Sequence, residues 1–233
     1  MSAGPIPPTV ALGNAVTVFV SANGERAVHD FQNSSLLILS WIDYCERELS
    51  KGVCDSLLAS CRASQIEAAS CLALGLARPA LFAMRLQFEL FLAWIYFNDH
   101  PVEWLSTSRG ELDFPMRRQN ISYLEKHNTR YKARFTLLAN NSRRIDKEPY
   151  RTLSSFVHGS NPMTMPQNNT LDSVVQSVAT LDACNAFQKD VSEYLSDVAA
   201  CWLTNRWRDF PRPIMEDIRA RLTAPRLRDF CSA

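Results

Sequence analysis

The stretch from Cys71 to Phe97 limits the fold more than any other part of the chain. It is almost continuously apolar, too long for a strand, and its only charges are Arg78, Arg85 and Glu89. A charge near a bilayer centre costs about 2.5–3.5 kcal/mol on insertion scales, so three of them argue against a membrane span. A helix buried inside a protein satisfies the same sequence at lower cost. Pro79 suits the first turn of such a helix, where a missing N–H leaves nothing unpaired. The expected element runs to about Phe97. It is apolar on nearly every face and therefore central.

The rest of the chain repeats the helical signal. Only 7 Gly occur in 233 residues, and the 12 Pro fall mostly near the ends and between helical stretches, so strand–turn repetition is lacking. The fold class is all-α. Residues 1–24, with Pro5, Pro7 and Pro8, read as an irregular N-terminal arm in which Ala15–Val20 is a short strand or an apolar arm. A helical domain spans 25–207. Phe31, Ile38, Ile42, Cys45 and Leu49 recur at helical spacing until Gly52. A second helix covers Asp55 to Leu76, and a short one Pro101 to Ser108. A fourth long helix covers Phe114 to Leu138. Pro149 opens another that stops at Gly159, and a loop follows to Thr170. Leu171 to Trp207 reads as one long helix with a stripe through Leu181, Val191, Tyr194 and Val198. Residues 208–233 read as a last amphipathic helix near Ile214–Leu222 and an Arg-rich tail.

The opening residues place no Lys or Arg before an apolar run, unlike a secretory signal. The 7 Cys form no C-x-x-C pair, and most lie in apolar helical patterns. Reduced buried thiols, a cytoplasmic location and no membrane association are the expectation. The four His, at 29, 100, 127 and 158, have no metal-ligand spacing. Phosphate-loop, dinucleotide, zinc-protease and nucleophile-elbow motifs are absent. No metal and no cofactor are expected.

Charge is unevenly placed. The formal net charge is +1, yet from Arg117 to Arg151 ten Lys or Arg face three Asp or Glu. Such a segment suits a polyanion, although a solvated helix face has the same composition. At its end comes Tyr150-Arg151-Thr152-Leu153-Ser154-Ser155-Phe156-Val157-His158-Gly159. Seven residues separate Arg151 from His158, close to two helical turns, so both share a face. Ser154 and Ser155, three and four residues beyond Arg151, join them. A cation, an imidazole and two hydroxyls thus line one strip.

An Arg, six intervening residues and a His, late in an all-α domain, resembles the motif of the HEPN superfamily (higher eukaryotes and prokaryotes nucleotide-binding domains). The wider string Y-x-x-L-S-x-x-V-H-G is similar to a variant in bacterial HEPN-like domains. Arg85 and Glu89 resemble an Arg-x-x-x-Glu of the core helix in such domains. The resemblance covers residues 25 to about 205. It implies a helical bundle with long antiparallel helices that forms a homodimer, pairing two Arg–His strips across a cleft. Active members are metal-independent endoribonucleases. Arg151 and His158 would then be catalytic, with Tyr150, Ser154 and Ser155 in support. The bound RNA would run along Arg117, Arg118, Lys126, Arg130, Arg134, Arg143 and Arg144. A toxin or antiphage effector, with a partner protein of a defence or toxin–antitoxin system, fits that activity.

Thr152 follows Arg151 where members of the family often carry Asn, Asp or His. That difference points to the alternative, a non-catalytic HEPN-like binding or assembly module that dimerises and holds a protein or nucleic acid. Arg85 and Glu89, four residues apart, read as a structural pair or as part of the cleft floor. Trp202, Trp207 and the arginines from 206 to 228 suit either packing of the last helix or stacking on single-stranded RNA.

Overall fold

The computed structural model describes residues 6–160 and 162–232. Among these, twelve α-helices form and no strand, the all-α class that the sequence implies. The core has two axes. The first is α5 (Ala77–Asp99), where Leu81, Met84, Phe88, Phe91, Trp94 and Ile95 are all buried. It packs against α4 (Ser56–Ala73), α7 (Arg117–His127), α9 (Pro149–His158) and α10 (Val178–Trp202). It is also the one helix among the described residues long and apolar enough to cross a membrane, and 72% of that apolar window is buried inside the protein. Within it Arg78, Arg85 and Glu89 are only partly exposed, and Arg85 and Glu89 pair with each other.

Chain reversal between α4 and α5 needs Gly75. Its φ is +79°, and an added Cβ would lie 2.7 Å from Val175 Cγ1. Only glycine combines that conformation with that approach. The Gln176 N–H donates to the Gly75 carbonyl at 2.9 Å, which fixes the segment leading into α10.

The second axis is α10. From Asp190 to Cys201 every residue is buried, polar ones included. The Ser192 hydroxyl accepts from the Ile38 N–H at 3.0 Å, and Ser196 accepts from Trp41 Nε1 at 3.0 Å. The first contact explains how the chain breaks between α2 (Glu25–Ser34) and α3 (Leu36–Glu48): a hydroxyl from α10 takes an N–H near the new helix start. Glu193 and Asp197 lie on the same buried stretch. Arg144 reaches them from the loop before α9, at 3.5 and 2.6 Å, and Arg221 of α11 (Arg212–Arg221) reaches Asp197 at 2.6 Å and Asp217 at 2.8 Å.

Four expectations need correction. Residues 1–5 of the expected irregular arm lie outside the described residues, but from Pro8 the arm is helical. α1 (Pro8–Phe19) runs through a π-helical turn, Val20–Gly24, into α2, so Ala15–Val20 is not a strand. Phe19 is buried, and α1 lies against the segment that precedes α10. The helix expected from Phe114 to Leu138 is two helices, α7 and α8 (Tyr131–Asn140). Poor helix formers at 127–129 allow the break, Arg130 takes φ 63°, and Asn128 donates to the Trp202 carbonyl at 2.9 Å. Leu171–Trp207 is not one helix either. α10 starts at Val178, where Ser177 caps it, and ends at Trp202 before a 3₁₀ segment, Thr204–Asp209. The Arg-rich tail forms α12 (Ala224–Cys231), held by Phe230, which is fully buried. Periodicity alone could not show that a tail with three charges within eight residues is anchored by one ring.

All seven Cys are free thiols, and five are buried. Burial pushes Cys54 up to about 11, and Cys61 and Cys184 each up to about 12, so these thiols stay protonated and inert.

Candidate functional site

Helix α9 begins at Pro149, as its sequence implies, and ends where Gly159 enters the left-handed region at φ 57°. The Ser160 N–H returns to the Ser155 carbonyl at 3.2 Å and closes the last turn. Leu153 is fully buried and anchors the helix to the core. Arg78, at the start of α5, donates to the Phe156 carbonyl, and at 2.6 Å to the Thr164 carbonyl. One cation thereby holds both the end of α9 and the loop after it.

The opposite face is open. Arg151, Ser154, Ser155 and His158 line one shallow depression of about 670 Å³, with Asp146, Glu148, Thr152 and Ser160 around them. Arg151 and His158 are exposed. Among the described residues the Arg151 side chain has no hydrogen bond or ion pair, and neither has the Ser154 hydroxyl. Ser155 donates back to the Thr152 carbonyl at 2.7 Å, an ordinary return within the helix. The shared face expected from the spacing is therefore present.

His158 is linked to the core helix. Arg85 Nη1 lies 3.5 Å from His158 Nε2. A guanidinium carries donors only, so Nε2 is the acceptor in this contact. Arg85 also bonds Glu89 through Nε at 3.1 Å and Nη2 at 3.0 Å. Tyr150 donates to the same Glu89 oxygen at 3.2 Å, and its ring lies 5.6 Å below the Arg85 guanidinium. The Arg85–Glu89 pair is thus the structural pair of the sequence reading, and it also touches His158. Tyr150 does not line the depression. It stands on the inner side of α9, where its ring meets Phe88 edge-on.

The basic segment divides sharply. Arg118 and Lys126 are exposed, and Arg143 is exposed with Asp217 4.0 Å away. Arg117 lies between the rings of Tyr150 and Tyr194, donates to the Tyr194 hydroxyl and sits 3.2 Å from Glu148. Arg130 bonds Ser232. Arg134 is buried and donates to the carbonyls of Phe230, Thr129 and Ser232 at 3.0, 2.9 and 2.6 Å. Arg144 has 1% of its side chain exposed and is held by Glu193 and Asp197. As a backbone-binding track, the run from Arg117 to Arg144 therefore loses Arg134 and Arg144 and keeps Arg118, Lys126, Lys132 and Arg143 as exposed cations. Carboxylates that α10 buries about fifty residues downstream draw in Arg144, and main-chain carbonyls of Thr129, Phe230 and Ser232 hold Arg134; local composition carries no trace of either demand.

Sequence reasoning missed Asp146 and Glu148 at the depression. They precede Pro149, and the Asp146 carboxylate accepts from the Glu148 N–H at 2.8 Å, a turn that launches α9. An acidic residue just before a helix-opening Pro was the available signal. Among the described residues no three His, Cys, Asp or Glu side chains come together in a way that could hold a metal ion. Compared with protein-family models, with curated proteins and with solved structures, this chain matches none.

Proposed function

We propose that the chain cleaves RNA without a metal, through Arg151 and His158, and that two copies meet along α9 as in HEPN-type ribonucleases. The observation that carries this reading is the open α9 face: a guanidinium, two hydroxyls and an imidazole converge on one depression, and neither the Arg151 side chain nor the Ser154 hydroxyl bonds any described residue. Polar groups so placed suit a ligand with a phosphate.

In the reaction a ribose 2′-OH attacks the adjacent phosphorus, and the bond to the 5′-oxygen breaks. His158 takes the 2′-OH proton or gives one to the departing 5′-oxygen, with water carrying the other. Arg151 binds the non-bridging oxygens and offsets their growing negative charge. Products carry a 2′,3′-cyclic phosphate and a 5′-OH. Arg85 is a positioning residue for the imidazole, and Glu89 and Tyr150 orient Arg85. A cytoplasmic effector of a toxin–antitoxin or antiphage system is the setting that this activity fits.

A second reading rests on its own observations. Asp146 and Glu148 border the depression and oppose a phosphate, and the basic segment is largely engaged within the chain. Both favour a non-catalytic module that binds a protein through the same face.

Purified protein incubated with total RNA and EDTA decides between them. Ribonuclease action requires new ends with cyclic phosphates from the wild type and none from a folded His158→Ala variant. Cleavage by that variant at the wild-type rate rejects the proposed site, and intact RNA with the folded wild type favours the binding module.

A further inference from the structure

A second open site lies at the C-terminal end of α10. Where α10 gives way to the 3₁₀ segment, a groove of about 1260 Å³ opens between that segment, α11 and the α7–α8 junction. Its walls include two indoles. Trp202 meets Trp94 edge-on at 5.8 Å, and Trp207 meets Phe210 and Phe230 edge-on at 5.4 and 5.8 Å. Each is only partly buried, and neither indole N–H has an acceptor among the described residues. Trp41 and Trp94, by contrast, point their indole N–H groups inward, at Ser196 and Asp55.

Three arginines surround these rings. Arg206, Arg208 and Arg219 are exposed and line the groove, and none has an ion pair among the described residues. Elsewhere the exposed arginines that have carboxylates at hand bond them, as Arg26, Arg47 and Arg212 do at 2.7, 2.8 and 2.6 Å. Asp209 is the one carboxylate on the groove's lining. Arg134, in its floor, donates to main-chain carbonyls and stays in place as fixed positive charge. Flat apolar faces flanked by unpaired guanidinium groups match one chemistry in particular. Bases stack on the rings and phosphates take the arginines.

We infer that this groove binds single-stranded nucleic acid, with Trp202 and Trp207 as stacking surfaces and Arg206, Arg208 and Arg219 on the backbone. The inference stands apart from cleavage at α9. If both hold, the groove grips a strand while α9 cuts it.

The test uses the full chain and a short labelled oligodeoxythymidylate, which lacks the 2′-OH and cannot be cut by the mechanism above. Anisotropy titrations at several salt concentrations compare the wild type with the triple variant Arg206→Ala, Arg208→Ala, Arg219→Ala. All three side chains are exposed, so the variant keeps the fold, which its thermal transition verifies. The expected loss in affinity at low salt is about tenfold or more. The slope of log K against log salt falls by about 2, near 0.7 for each phosphate contact removed. Tryptophan fluorescence is quenched on binding, and less so in Trp207→Leu. No binding by the wild type overturns the inference. So does a triple variant with the wild-type affinity and slope, or loss of binding in Arg151→Ala, His158→Ala with the triple variant unaffected.

Discussion

Arg144 with Arg221 on one side, and Arg151 on the other, form two groups that differ in what surrounds them, although Arg144 and Arg151 lie only seven residues apart in sequence. Arg144 meets Glu193 and Asp197 inside the protein, and Arg221 joins from the other side with Asp217. Arg151 projects from α9 with no partner among the described residues. Burial would lower the Arg221 guanidinium, yet the carboxylates of Asp197, Asp217 and Glu193 overcome it and raise it. The first group is bound up with folding. The second is free for a ligand. Charge alone does not separate the two; the partner does.

The largest effect expected from this contrast is on stability. Asp197→Ala leaves Arg144 and Arg221 short of their closest carboxylate in a dry interior. Breaking such a buried network costs about 3–5 kcal/mol, read as a shift in the denaturant midpoint. Arg85→Ala is intermediate, because Arg85 belongs to both worlds. Loss of its bonds to Glu89 lowers stability by about 1 kcal/mol, and the freed imidazole of His158 lowers RNA cleavage while retaining some of it. A smaller effect concerns pH. Burial raises the Glu193 and Asp217 carboxyls above their ordinary range, against the pull of Arg221. The folded chain then takes up their protons at higher pH than the unfolded chain. Their stabilising contribution is present at low pH and is lost as pH rises through the raised folded values. Unfolding midpoints followed downward from neutral pH rise through this contribution as the raised folded values are approached, and the rise flattens in Glu193→Gln. The smallest effect belongs to Ser154→Ala, whose stability stays within about 0.5 kcal/mol of the wild type in the same measurement.

Much of the fold is legible in the sequence because apolar spacing and helix punctuation are local. Pro149 and Gly159 bound α9 as expected, and Cys71–Phe97 supplies the core helix. The shared face of Arg151, Ser154, Ser155 and His158 follows from seven-residue spacing alone. What escaped depends on distant partners. The burial of Arg144 answers to α10, the break at Arg130 to Asn128 and Trp202, and the anchoring of α12 to a pocket for Phe230. The contact of Arg85 with His158 joins residues 73 apart. Tyr150 differs from its neighbours in the motif for the same reason: α5 offers it Glu89, which turns it inward.

The claim that the α9 strip serves chemistry and not folding is tested most directly by one double variant, Arg151→Ala, His158→Ala, assayed for unfolding and for RNA cleavage on the same preparation. The account predicts a denaturation midpoint within about 0.5 kcal/mol of the wild type, and cleavage abolished in the presence of EDTA. A stability loss of several kcal/mol, or cleavage continuing at the wild-type rate, would contradict it.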